Sequence, residues 1–141
     1  MEEAINNKSQ ASNNKQMENT NEINHKRYDL EERTLRFAGQ INALVNGLPR
    51  TNSNMENGKQ LIRSAGSVGA NYIEANEALS KKDFVMRVKI ARKEAKESRF
   101  WLSLIMPQAD KLPAKNALLN EATELIKIFS SILLKCGVMK Y

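Results

Sequence analysis

One cysteine, Cys136, and one histidine, His25, are all that the 141 residues offer of either type. A single cysteine excludes an internal disulfide, and the pair together cannot build a zinc-type ligand set. No apolar run approaches the roughly 20 residues that span a bilayer. The opening MEEAINNKSQ has neither a basic start nor an apolar stretch, so it does not read as a secretory signal. These absences predict a cytoplasmic protein with no membrane partner. Strand alternation bounded by turn residues is also missing, which argues against a sheet. Catalytic signatures are missing too. There is no pair of Glu-x-x-His motifs on facing helices, no phosphate loop, no dinucleotide fingerprint and no Cys–His dyad. The expectation is a protein that is not an enzyme and needs no cofactor or metal.

What is present divides into two materials. Residues 1–27 carry seven asparagines and almost no aromatic or branched side chains. Such a segment buries too little apolar surface to offset its ordering entropy, so it is expected to be a disordered tail. Its charges cancel, with Glu2, Glu3, Glu18 and Glu22 against Lys8, Lys15, Lys26 and Arg27, so the net charge of +6 belongs to residues 28–141. That body shows four helical patterns. The first opens at Asp29, places Leu30, Phe37, Ile41, Leu44 and Leu48 on one face, and is stopped by Pro49. The second runs from about Asn54 to Leu79. The third follows Ser80, with Asp83 three residues on as a capping-box variant, and continues to about Gln108 with Phe84, Val88, Ala91, Ala95, Leu102 and Ile105 on one stripe. The fourth starts near Pro113, carries Leu118, Ala122, Leu125, Phe129, Ile132 and Cys136 in register, and ends at Gly137. Short links between long amphipathic helices predict an all-α, antiparallel, up-down four-helix bundle.

Two of these helices carry more apolar width than one bundle needs. On the second, Leu61, Ala65, Val68, Tyr72 and Leu79 form one stripe, and Ile62, Gly66, Gly69 and Ile73 form another beside it. On the fourth, Leu119, Ile126 and Leu133 make an additional row. Excess apolar width suits an interface between subunits, so a homo-oligomer is expected, although a wide core face in a monomer would give the same pattern. Gly66 and Gly69 each cost a helix about 1 kcal/mol relative to alanine. Their place on the second stripe suggests that another helix approaches closely there; a kink or a slot for another chain's side chain would use the same residues.

The third helix concentrates charge. From Lys81 to Arg99 there are eight Lys and Arg against three acidic residues, which leaves +5 on one helix. Lys89, Arg92, Lys93, Lys96 and Arg99 recur at three- and four-residue spacing and so form one stripe. A charged helix face is often no more than a solvated surface. Here the sign is lopsided, like charges repel at these spacings, and a polyanion would relieve the repulsion. No aromatic stacking platform and no recognition-helix motif accompanies the stripe, so any nucleic-acid contact is expected to read the backbone. Glu74, Glu77, Glu94 and Glu97 are the one carboxylate group that merits inspection. They are expected to pair with Arg63, Arg87 or a neighbouring subunit rather than to hold a metal or do acid–base work.

The stretch LIRSAGSVGANYIEANEALSKKDFVMRVKIARKEAKESRFWLSLI resembles the central block of the bacterial 23S rRNA intervening-sequence proteins. Their relatives include the accessory variability proteins of diversity-generating retroelements. The matching pieces are S-x-G-A-N at Ser67–Asn71, E-A at Glu74–Ala75, D-F at Asp83–Phe84, and K-E-A-x-E-x-x-x-W-L from Lys93 to Leu102. The resemblance covers about Tyr28 to Val138. It implies a four-helix bundle assembled as a homopentamer around a central channel, with no known enzymatic activity. It carries over polar positions as Asn71, Glu74, Glu94, Glu97 and Trp101, in a structural role. The retroelement relatives are basic, bind nucleic acid and associate with a reverse transcriptase.

Two functions are therefore carried forward. One is a non-enzymatic oligomer that binds RNA or DNA backbone through the basic stripe of the third helix. The other is a scaffold whose assembly engages a partner protein, such as a reverse transcriptase, without touching nucleic acid.

Overall fold

The computed structural model describes residues 29–139, and among these the regular structure is helical, with no strand. Helix α1 spans 29–46. It is followed by α2 (Asn52–Asn76), α3 (Lys81–Leu104), a 3-10 turn (Ala109–Lys111) and α4 (Leu112–Lys135). The expected tail at 1–27 lies outside the described residues. By its contacts the chain divides into a unit ending at Glu32 and a unit running from Arg33 onward. The packing described below is that of the second unit. No helix among the described residues is long and apolar enough to cross a membrane.

The helix ends follow local chemistry. The Thr51 hydroxyl accepts from the Asn54 amide at 3.1 Å and caps α2, and Ser80 does the same for α3 through Asp83, also at 3.1 Å. Pro113 sits in the first turn of α4, where its missing N–H costs nothing. At the other end, Gly137 turns to φ +75°. The Gly137 and Val138 amides then donate back to the Leu134 and Leu133 carbonyls, a glycine-terminated helix end.

Two ends differ from expectation. Helix α2 stops at Asn76, so Leu79, expected on its core stripe, is fully exposed in the link to α3. Helix α3 stops at Leu104 rather than near Gln108. Ile105 is already extended, two residues before Pro107, whose ring disfavours helical geometry in the residue before it.

The helices share one core. Phe37 and Ile41 from α1, Leu61 and Val68 from α2, Val88 and Leu102 from α3, and Leu125 and Phe129 from α4 are all buried. Val85, not Phe84, occupies the first core position of α3; Phe84 is half-buried. The extra row on α4 belongs largely to this same core, with Ile126 and Leu133 buried and Leu119 half-buried. The reason is position. Helix α4 packs on α3 and is joined to α1 through the two-pronged Arg33–Glu121 contact at 2.6 and 3.0 Å, so it needs a broad apolar face.

Contacts between successive helices run in opposite numerical order. Thr34 faces Gly69, whereas Val45 faces Gly58. Arg63 and Ser64 meet Glu97 and Ser98, whereas Asn71 meets Arg87. Arg92 meets Ser130, whereas Arg99 meets Thr123. At one end, buried Asn54 fastens two links together. Its Nδ2 donates to the Pro49 and Met106 carbonyls at 3.0 Å, and its Oδ1 accepts from the Met106 amide at 2.9 Å.

Candidate nucleic-acid interface

Helix α3 packs against α2 on one side and α4 on another, and this leaves a third side to solvent. The residues that face α2 are small where the helices approach. Ser64, Ala65, Ala91, Ala95 and Ser98 are all buried, and the two serine hydroxyls hydrogen-bond at 3.0 Å. Beside them, Arg63 of α2 reaches two carboxylates of α3, Glu97 at 2.7 Å and Glu94 at 3.5 Å. Glu94 is only 8% exposed. Burial raises its pKa above the ordinary glutamate value, and the neighbouring Glu97 charge adds to the rise while Arg63 opposes it. Farther along the seam, Arg87 donates to Asn71 Oδ1 at 3.2 Å, and Asn71 donates to the Ser67 carbonyl at 2.8 Å. Trp101 is half-buried, with its Nε1 enclosed and without a hydrogen-bond partner. Glu74 lies exposed on α2 and makes no ion pair among the described residues, contrary to the pairing expected of it.

The five basic residues of the stripe separate into two groups. Arg92 and Arg99 lean toward α4 and are half-buried; Arg92 Nε donates to Ser130 at 2.8 Å, and Arg99 Nη1 reaches Thr123 at 3.5 Å. Lys89, Lys93 and Lys96 are exposed. No carboxylate of the described residues lies within 4.0 Å of their ammonium groups, and the two glutamates that α3 contributes nearby both engage Arg63. The result is a row of three exposed lysines on one helix face that make no close ion pair among the described residues, although Lys93 lies near enough to Glu94 to act on its charge.

A groove of about 670 Å³ runs along this face, lined by Arg63, Lys89, Arg92, Lys93, Lys96, Glu97, Phe100 and Trp101. It contains an aromatic residue that the sequence reading passed over. Phe100 is 58% exposed, and its ring meets Trp101 edge-on with centroids 4.9 Å apart. An exposed aromatic ring thus shares the face of the stripe, beside which the sequence shows no stacking platform. The signal was available in the spacing, since Phe100 follows Lys96 by four residues and Lys93 by seven and so shares their face.

The α2 residues expected at an interface lie in two settings. Ile62, Gly66 and Ile73 are exposed, Ile73 by 47%. Gly69 instead meets α1 of its own chain. A Cβ there would stand 2.9 Å from Thr34 Oγ1 and 3.1 Å from Thr34 Cβ, and Thr34 is itself fully buried. A Cβ at Gly66 would meet nothing within 4 Å. The close approach expected at both glycines therefore occurs within the chain at Gly69 alone. Gly58, not singled out from sequence, is the other tight position, 2.9 Å from a Val45 methyl.

The sequence profile of the 23S rRNA-intervening sequence proteins matches residues 26–131. Among solved structures, a protein of unknown function from the S23 ribosomal protein family of Bacteroides thetaiotaomicron is similar over 77% of this chain and 97% of its own, at 32% identity and a TM-score of 0.66. A comparison with curated proteins gave no match.

Proposed function

The chain belongs to the 23S rRNA-intervening sequence protein family, and we propose that it acts without catalysis, as an oligomer that binds the backbone of nucleic acid through the outer face of α3. Neither the family description nor the neighbour's names a catalytic activity. The observation that carries the reading is the row Lys89, Lys93 and Lys96, exposed and in no ion pair among the described residues, while Glu94 and Glu97 of the same helix engage Arg63. Three such charges within three turns favour a polyanion by counterion release, and they carry little sequence information. Arg92 and Arg99, which also hold α4, are the edge of the same contact.

The finer architecture belongs to this proposal. The opposed numbering of the helix contacts supports an antiparallel, up-down four-helix bundle. Exposed Ile62, Gly66 and Ile73 on one stripe of α2 support assembly of copies, and a count of five is what the family resemblance implies. Repetition around a ring would multiply a weak contact per subunit into measurable binding. The cytoplasm is the compartment where such a protein would meet RNA. Kinship with the accessory proteins of diversity-generating retroelements adds a reverse transcriptase as a partner to be tested.

Fluorescence anisotropy at low salt, with structured RNA and with duplex DNA, tests the function. Both should bind. Reversal of Lys89, Lys93 and Lys96 to glutamate should abolish binding and leave helicity intact. Absence of wild-type binding to either probe would transfer the case to the scaffold reading. Light scattering tests the assembly: a mass equal to the 16.0 kDa chain, unchanged on concentration, would refute it.

A further inference from the structure

Phe100 is an expensive residue to leave in water, and among the described aromatic residues it alone is exposed. Every other described phenylalanine, tyrosine or tryptophan is buried or half-buried. It stands at the end of the lysine row, in the same groove as Lys93 and Lys96, and Trp101 braces it edge-on at 76°. From this juxtaposition we infer that the α3 groove is a site for single-stranded nucleic acid, in which an unpaired base stacks on Phe100 while the adjoining phosphates lie along Lys96, Lys93 and Lys89.

The inference rests on the backbone-binding reading and goes a step past it. Lysines alone serve a duplex and a single strand alike. A protruding ring discriminates between them, because the faces of paired bases are covered by their neighbours and only an unpaired base has a face to offer. The geometry is that of a stacking platform beside a cationic track. From Lys89 to Phe100 the helix advances about 16 Å, at about 1.5 Å per residue, so the charges and the ring engage consecutive parts of one strand. Stacking is tolerant of base identity, so the site selects strandedness and not sequence. RNA and DNA strands share the chemistry that the groove recognises.

The test is anisotropy with labelled oligouridylate, oligothymidylate and a duplex of equal length at matched salt. Single strands should bind more tightly than the duplex. Phe100→Ala should weaken single-strand binding about tenfold and leave duplex binding unchanged. Phe100→Leu, which keeps apolar bulk but has no ring, should lose as much as Phe100→Ala, and Phe100→Tyr should retain wild-type affinity. Trp101, the chain's one tryptophan, should change fluorescence on binding oligouridylate. Equal single-strand affinity in wild type and Phe100→Ala, with duplex binding intact, would overturn the stacking site and leave the backbone reading standing. So would full affinity in Phe100→Leu. A change in assembly mass in Phe100→Ala would place the ring between copies and likewise overturn the inference. Absence of binding to every probe would remove both readings together.

Discussion

On the side of α3 that meets α2, Glu94 and Glu97 share Arg63, Ser98 shares a hydrogen bond with Ser64, and Arg87 reaches Asn71. On the outward side, Lys89, Lys93 and Lys96 stand in solvent beside a bare phenylalanine. The same helix thus pairs charge internally on one face and leaves it without a close ion pair on the other. Internal pairing follows from burial, since a charge removed from water needs a partner. Charge of one sign on an exposed face costs little locally, but it makes α3 repel itself along the row. The α2 side positions the helix; the proposed function gives the outer side a different task, contact with a polyanion.

The largest test of this division is the triple reversal Lys89→Glu, Lys93→Glu and Lys96→Glu. Affinity for nucleic acid should fall at least about a hundredfold, as phosphate contacts are replaced by repulsion. Thermal melting should stay near wild type, because none of the three holds another helix. A coincident collapse of melting and binding would erase the distinction between the faces.

Asn54 offers the opposite result. Asn54→Ala leaves the Met106 amide and two carbonyls without their partner and should cost about 2 kcal/mol in urea unfolding, with binding unchanged below the transition. The glycines sharpen the positional side further. Gly69→Leu drives a side chain into buried Thr34 and should lose about 1–3 kcal/mol. Gly66→Ala enters open space in the single chain and should gain up to about 1 kcal/mol of helix propensity. A loss at Gly66 accompanied by a lower assembly mass would locate a neighbouring copy against that stripe.

The smallest effect concerns Glu94. Burial raises its pKa in the folded chain, so the folded state holds that proton more tightly than the unfolded chain does. Wild-type stability should therefore decline as pH rises from the ordinary carboxylate range through the raised value. Glu94→Gln should melt slightly above wild type at neutral pH, with Arg63 still held by Glu97, and the gap should close on acidification. A gap that widens in acid would mean that the Arg63 pairing outweighs the burial.

Much of the fold was legible because period and punctuation agree. Ser80, Pro113 and Gly137 mark helix ends by chemistry that acts within a few residues, and the core stripe of α2 from Leu61 to Tyr72 follows from spacing alone, though its expected continuation to Leu79 does not. The details that escaped depend on contacts distant in sequence. Asn54 makes its decisive bond to Met106, 52 residues away, and nothing local announces it. The second row of α4 read as surplus because its width is set by how α4 meets both α3 and α1. The basic stripe was visible as one row, but its division into exposed lysines and α4-bound arginines needed Ser130 and Thr123 in place. Phe100 differs from these. Its register with Lys93 and Lys96 is readable in the spacing, but its exposure is not, since a lone phenylalanine is more often core.

The most direct test of the α3 face as a nucleic-acid contact is the salt dependence of binding, measured by anisotropy on wild type and on a variant with Lys89, Lys93 and Lys96 changed to glutamine. The expected result is a steep fall of log affinity with log salt in the wild type and a clearly shallower slope in the neutralised variant, since each lost phosphate contact removes about 0.9 from the slope on duplex DNA and about 0.7 on a single strand. Identical slopes in the two proteins would contradict the assignment, because the phosphates would then be held somewhere other than the outer face of α3.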